Sequence, residues 1–313
     1  MKIGIMTGAR PTNDNVNEIG RTHTIDEVVG LAQRAENAGI DTLWMANVFS
    51  LDAIMMMALA GQATSKIELG TAVTPTYPRH PTAIAQQAVT AAAAADNRFT
   101  LGIGLAHKVM VEDALGISFA KPAHHMKEYL AILEPLLAGD TVNFEGQQYT
   151  TRNISVGAAG ANAVPLVVAA LGDHMLRLAG HHSSGTITWM VGPQTLNSHI
   201  IPKITKAAEE VSKPIPRIIA GAPIVVTNDP DDAKAKINLG LALYAQLPSY
   251  RAMMDKEGAQ HPADLSIVGD EKVVREGLAR LRDAGATDFN AAIAEVDAGA
   301  FDRTFELLAS EAN

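Results

Sequence analysis

Near each end of the chain the same junction recurs: Asn37-Ala38-Gly39-Ile40-Asp41 early on and Asp283-Ala284-Gly285-Ala286-Thr287-Asp288 late. In both, a helix-patterned segment stops at a glycine, the residue best suited to the left-handed position after a helix, and a β-type run starts at once. Between them, short β-type runs keep alternating with helical patterns. This confines the chain to a parallel sheet wrapped in helices, because parallel neighbours need a crossover and the crossover is normally a helix. Strands are expected at residues 2–6, 42–45, 67–73, 99–103, 166–170, 185–189, 217–226 and 288–294. Thr24-Ile25-Asp26-Glu27 has the form of a capping box opening the first helix, and further helices are expected at 51–64, 81–95 and 123–137. Eight strands with helices between them, and no low-complexity linker, predict an α/β fold: one (β/α)8 TIM barrel spanning residues 1–313.

Extra segments interrupt the rhythm after strand 4 (105–122), between strands 4 and 5 (141–165, with a hairpin-like stretch at 140–150) and after strand 7 (248–265). The first two are expected to be βα insertions that build the substrate side, since active sites of such barrels lie at the carboxyl ends of the strands.

Composition removes several chemistries. Twenty-five Lys and Arg against 34 Asp and Glu give a net charge of −9, which repels phosphate backbones and anionic lipid. The absence of cysteine excludes disulfides, thiolate nucleophiles and cysteine-ligated metals, so redox chemistry needs a cofactor. The start has no signal-peptide pattern and the longest apolar run, 83–95, is too short for a membrane span. A cytoplasmic protein is expected, with a small-molecule substrate, no nucleic-acid or membrane partner, and assembly as a homodimer.

Among the candidate motifs, His124-His125 and His181-His182 are adjacent pairs whose rings diverge by about 100° on a helix, so no metal site is expected. Gly102 and Gly104 end a strand as Gly-x-Gly, but the third glycine of a dinucleotide fingerprint is missing, since position 107 is His. They read instead as relief of crowding at a strand end that lets backbone approach a ligand. Met55-Met56-Met57 reads as core filling. No Gly-x-Ser-x-Gly or Walker pattern occurs.

The most informative stretch is Leu69-Gly70-Thr71-Ala72-Val73-Thr74-Pro75-Thr76-Tyr77-Pro78-Arg79-His80-Pro81, followed by Asn97-Arg98-Phe99-Thr100-Leu101-Gly102-Ile103-Gly104. Together these blocks resemble the luciferase-like monooxygenase superfamily in its coenzyme F420-dependent branch. The likeness continues through residues 142–149, Ala169-Ala170-Leu171-Gly172, residues 267–274 and Ala284-Gly285. It implies a deazaflavin or flavin lying across the carboxyl ends of the strands, and a non-prolyl cis peptide matching Ala72-Val73. It places the cofactor pocket at Thr71, Ala72, Val73 and Thr74, at Gly104, Leu105, Ala106 and His107, and at Ala170, Leu171 and Gly172. The start of a helix at Gly172-Asp173-His174 could offer amides to a phosphate. One departure matters: where sugar-phosphate dehydrogenases of this branch show an Asp-His pair, this chain has Ala46-Asn47-Val48. The expected function is therefore an F420-dependent oxidoreductase acting as a reductase of a small organic substrate, with Asn47 and His107 as polar contacts to the reacting group. An FMN-dependent monooxygenase and a non-catalytic flavin-binding protein are the alternatives.

Overall fold

The computed structural model describes residues 1–8 and 23–312. Eight parallel strands close into a ring: β1 Lys2–Thr7, β2 Thr42–Met45, β3 Glu68–Thr71, β4 Phe99–Gly104, β5 Leu166–Ala169, β6 Gly185–Trp189, β7 Arg217–Val226 and β8 Asp288–Ile293. Each pairs with its neighbours in sequence, and β8 returns to β1 through the register Lys2↔Asp288. Around the ring lie α1 Ile25–Asn37, α2 Ala53–Gln62, α3 Pro81–Ala94, α4 Pro122–Leu137, α5 Asp173–His182, α6 Ile201–Glu210, α7 Pro230–Gly240, α8 Pro248–Glu257, α9 Glu271–Asp283 and α10 Ala300–Ala312. No described helix is long and apolar enough to cross a membrane.

The punctuation read from the sequence operates as expected. Thr24 and Glu27 form the reciprocal capping box at α1, at 3.2 and 2.8 Å. Gly39 and Gly285 turn the chain at φ +81° and +102° after α1 and α9.

Inside the ring, side chains fill rather than line a channel. At mid-height Trp44, Val167, Ile187 and Ile219 pack together, and Trp44 donates to Thr42 Oγ1 at 2.9 Å. Gly70 makes room for that indole, since a Cβ there would meet the ring at 2.3 Å. At the amino-terminal end Arg217 bridges Glu68 and Asp288, with its guanidinium 5.4 Å from the Trp44 ring.

Two expectations need correction, the extent of the third strand and the burial of Met55. The third strand does not run to Val73. It stops at Thr71, whose hydroxyl donates to Gly102 O at 2.7 Å and accepts from Gly102 N at 2.9 Å, taking the place of regular ladder bonds; pairing to β4 resumes only at Thr74–Pro75. The hairpin, formed by Val142–Glu145 and Thr150–Ile154, turns back along α4, and its turn reaches the mouth-side start of that helix: Gln148 and Tyr149 meet His125 in the first turn, and Tyr149 packs edge-on to His80 at the start of α3. Its turn amides at Gln147, Gln148 and Tyr149 bind Glu128 in the second turn of α4. The expected insertion after strand 7 is present: β7 pairs on with Ile267–Gly269, and the connection between them brings Tyr244 and Tyr250 against His107 and Trp189 at the mouth. Finally, Met56 and Met57 are core residues but Met55 is 64% exposed.

Candidate active site

The carboxyl ends of β3, β4 and β5 form a shelf almost without side chains. Ala72, Val73 and Ala169 sit on the Trp44 layer and stay partly accessible. Gly104 lies against them: a Cβ there would meet Val73 Cγ2 at 2.7 Å and the Ala169 Cβ at 3.3 Å. Gly102, below, is tighter still, with Thr71 O only 1.9 Å from where its Cβ would stand. The Ala72–Val73 peptide is cis. Ala72 N donates to Met45 O at 2.7 Å, which ties the shelf to the end of β2.

An aromatic wall rises beside this shelf. Ala106 and Met190, both with left-handed φ of +59° and +53°, turn the chain just before His107 and just after Trp189. Such backbone is uncommon outside glycine and here directs two ring-bearing residues at the mouth. Tyr244 and Tyr250 arrive from the β7–β8 connection. His107 packs edge-on to both, with ring centroids 6.0 and 5.7 Å apart, and the two phenols meet at 5.0 Å. Trp189 completes the wall, 6.4 Å from Tyr244. Burial lowers the His107 pKa below its ordinary value and raises both phenols, so all three are uncharged at neutral pH.

On the other side, Leu171 O receives the Nε2–H of His199 at 2.8 Å. His199 sits in a short π-helical stretch, Leu196–Ile200, that leads into α6. Next to Leu171, α5 begins at Asp173 with Gly172 as its cap and no side chain bound to its first amides. Lys203 pairs with Asp173 there.

The structure brings Ala72, Val73, Gly104 and His107 to one mouth, with Ala170, Leu171 and Gly172 on the adjoining strand end. Leu105 and Ala106 form the turn between Gly104 and His107, and both are partly accessible. Thr71 and Thr74 are fully buried; the Thr71 hydroxyl is held by Gly102, whereas Thr74 Oγ1 has no partner among the described residues. Asn47 Oδ1 accepts the Ala53 amide at 3.0 Å, so half of its amide is committed to starting α2. The basic pair of the third loop is structural as well: Arg79 pairs with Asp52, and His80 caps α3. Arg98 ties β4 to the end of α2 through the carbonyls of Gly61, Thr64 and Ile67. Sequence reasoning missed Trp189, Tyr244 and Tyr250. A groove of about 700 Å3 lies at the opposite, amino-terminal end, lined by Lys2, Glu134 and Arg217 among others, far from this shelf.

The luciferase-like monooxygenase family model matches residues 1–296. The chain belongs to the luciferase-like monooxygenase family. Among its relatives, the F420-dependent glucose-6-phosphate dehydrogenase of Rhodococcus hoagii is 28% identical over 228 residues, 68% of this chain and 67% of that protein. Two solved luciferase-like barrels share the fold. The coenzyme F420-dependent tetrahydromethanopterin reductase of Methanopyrus kandleri superposes with a TM-score of 0.80 at 20% identity, covering 99% of this chain and 97% of that one. The oxygenating constituent of 3,6-diketocamphane monooxygenase of Pseudomonas putida, in complex with FMN, superposes at 0.76 with 18% identity, covering 100% and 97%. Active sites of characterised barrels of this fold lie at the carboxyl ends of the strands, the end that carries the shelf and the aromatic wall here.

Proposed function

We propose that this protein is an F420-dependent oxidoreductase that moves hydride between the deazaflavin and a small organic substrate, acting as a reductase rather than as a sugar-phosphate dehydrogenase. The observation that carries the reading is the shelf. Ala72, Val73, Gly104 and Ala169 offer a planar ring close approach to backbone, and Gly104 is a cradle that a Cβ would fill. The free first-turn amides of α5, with Lys203 beside them, suit a phosphate. Relatives named as F420-dependent support the cofactor class.

Bound on the shelf, the deazaflavin supplies the hydride chemistry. The chain's own part is orientation and exclusion of water: the shelf fixes one face, and Tyr244 and Tyr250 close the side toward solvent. His107, neutral, offers a hydrogen bond without bringing charge. Asn47 does not fit the role of a base, since a carboxamide cannot take a proton at neutral pH and its oxygen already serves Ala53. This supports a reductase over a dehydrogenase that must remove a hydroxyl proton.

The FMN-bound neighbour supports a second reading, an FMN-dependent monooxygenase on the same shelf. Fluorescence titration of the apoprotein separates them. F420 is expected to bind at least ~10-fold tighter than FMN, a difference of about 1.4 kcal/mol. Equal or reversed affinities overturn the F420 reading.

A further inference from the structure

Above the shelf, four ring-bearing residues from three separate connections meet. His107 follows β4, Trp189 ends β6, and Tyr244 and Tyr250 belong to the β7–β8 connection, with centroid separations between 5.0 and 6.4 Å. Tyr244, Tyr250 and Trp189 pack against a second apolar cluster that includes Met190, Leu241 and Met254, so the wall is backed by hydrophobic packing. None of the four carries charge at neutral pH.

Among the described residues, two polar atoms in this region are buried without partners: Trp189 Nε1 and Asn290 Oδ1. The two residues are the register partners of Gly221 on its two sides, and a Cβ on Gly221 would stand 3.3 Å from the benzo edge of Trp189. Unpaired buried donors are rare, and each costs about 1–3 kcal/mol unless a ligand or water satisfies it. An indole N–H can only donate, so its missing partner is an acceptor.

We infer that the substrate of this site is an uncharged, ring-bearing carbonyl compound, its ring against His107, Tyr244 and Tyr250 and its carbonyl oxygen accepting from Trp189 Nε1. The inference rests on the mouth being the substrate site of an F420-dependent reductase. Aromatic walls hold planar apolar bodies by offset and edge-on contact. An anion placed there loses hydration and receives no opposite charge from these four groups, which is expensive.

A matched pair of probes tests this. Benzylideneacetone and cinnamate have the same aryl-alkene body, but the second replaces the methyl ketone with a carboxylate ionised at pH 7.5. Calorimetric titration of F420-saturated protein is expected to give benzylideneacetone a Kd at least ~10-fold below those of cinnamate and glucose 6-phosphate, or about 1.4 kcal/mol. Trp189→Phe keeps a ring and removes the N–H. It should weaken benzylideneacetone ~10-fold while leaving the F420 Kd within about twofold and the melting temperature no lower than that of the unaltered protein. Cinnamate or glucose 6-phosphate binding as tightly as the ketone overturns the substrate class. An unchanged ketone affinity in Trp189→Phe overturns the donor assignment. Running the same probes on cofactor-free protein separates the two readings: if F420 does not bind, the cofactor reading fails, while the ketone-to-cinnamate ratio still decides the character of the wall.

Discussion

Replacing Arg217 by Met tests what closes the amino-terminal end of the barrel. Methionine keeps much of the apolar stem but removes the guanidinium that donates to both oxygens of Asp288 and to Glu68 and lies over Trp44. The Asp288 side chain is 3% exposed, whereas Glu68 and Arg217 are each 21% exposed, so the two legs differ in weight. Removing one partner of a buried pair costs ~3–5 kcal/mol, while partly exposed pairs are worth ~0–1. Asp288 is left with the Thr287 hydroxyl at 2.6 Å, whereas Glu68 keeps Lys2 and Thr100 at 2.8 and 3.0 Å. The expected loss is therefore about 3 kcal/mol, nearly all from Asp288. At ~2.1 cal/mol/K of unfolding entropy per residue, a chain of 313 residues loses about 5 °C in melting temperature.

Two companion measurements make the reasoning refutable. Adding Asp288→Asn and Glu68→Gln to Arg217→Met removes the stranded charges and should recover more than half of the loss. Burial by itself would raise the Glu68 carboxyl, but Arg217 and Lys2 outweigh it and hold the group below its ordinary value. Stability from that group is fully present above the unfolded carboxyl pKa of about 4.3 and is lost as pH falls through the lower folded value. Arg217→Met should thus shift acid unfolding to higher pH. Calorimetric melting from pH 3 to 8 reads both effects. A loss below about 1 kcal/mol, or a triple variant no better than the single, would show that packing and not ion pairing closes this end. F420 affinity should not change, because the cluster is at the far end of the barrel.

Other expectations concern the shelf, the loop after β5 and the outer surface. Gly102→Ala puts a Cβ 1.9 Å from a backbone oxygen and should yield little folded protein, whereas Gly104→Ala meets side chains and no backbone, Val73 Cγ2 at 2.7 Å and the Ala169 Cβ at 3.3 Å, and should fold but bind F420 ~10-fold more weakly, read by melting and fluorescence titration. His199→Ala leaves the Leu171 carbonyl unpaired and should weaken F420 by ~10-fold, with His199→Gln, which keeps a donor, restoring most of it; equal affinity in the Ala variant removes His199 as a positioning residue. We propose that α2 and α3, which contain no Asp, Glu, Lys or Arg and expose Met55 and Leu59, pair with a second copy, since two chains at −9 meet most cheaply across an uncharged face. Sedimentation should show a homodimer that Met55→Glu converts to monomer, and a monomeric unaltered protein would refute the pairing.

The barrel was legible because each strand is bracketed by signals that act locally: the Thr24 box, Pro81 in a first turn, Gly39 and Gly285 in left-handed turns. What failed depends on where the closed ring puts things. Residues 67–73 read as one strand because nothing in the run reveals that the Thr71 side chain will occupy the bonding positions of Gly102, 31 residues away. Asn47 does stand at a strand end, and what its position alone did not reveal is that its oxygen is committed to the Ala53 amide. The aromatic wall was the hardest to see. His107, Trp189, Tyr244 and Tyr250 come from distant segments and meet only because β4, β6 and β7 open on one mouth. The available signal was compositional: in a chain with 2 Trp and 5 Tyr, two of the tyrosines stand six residues apart in the connection after β7. Clustered aromatics in an insertion following a barrel strand thus mark the side of the fold where a ring-bearing ligand can be enclosed, even when no polar motif accompanies them.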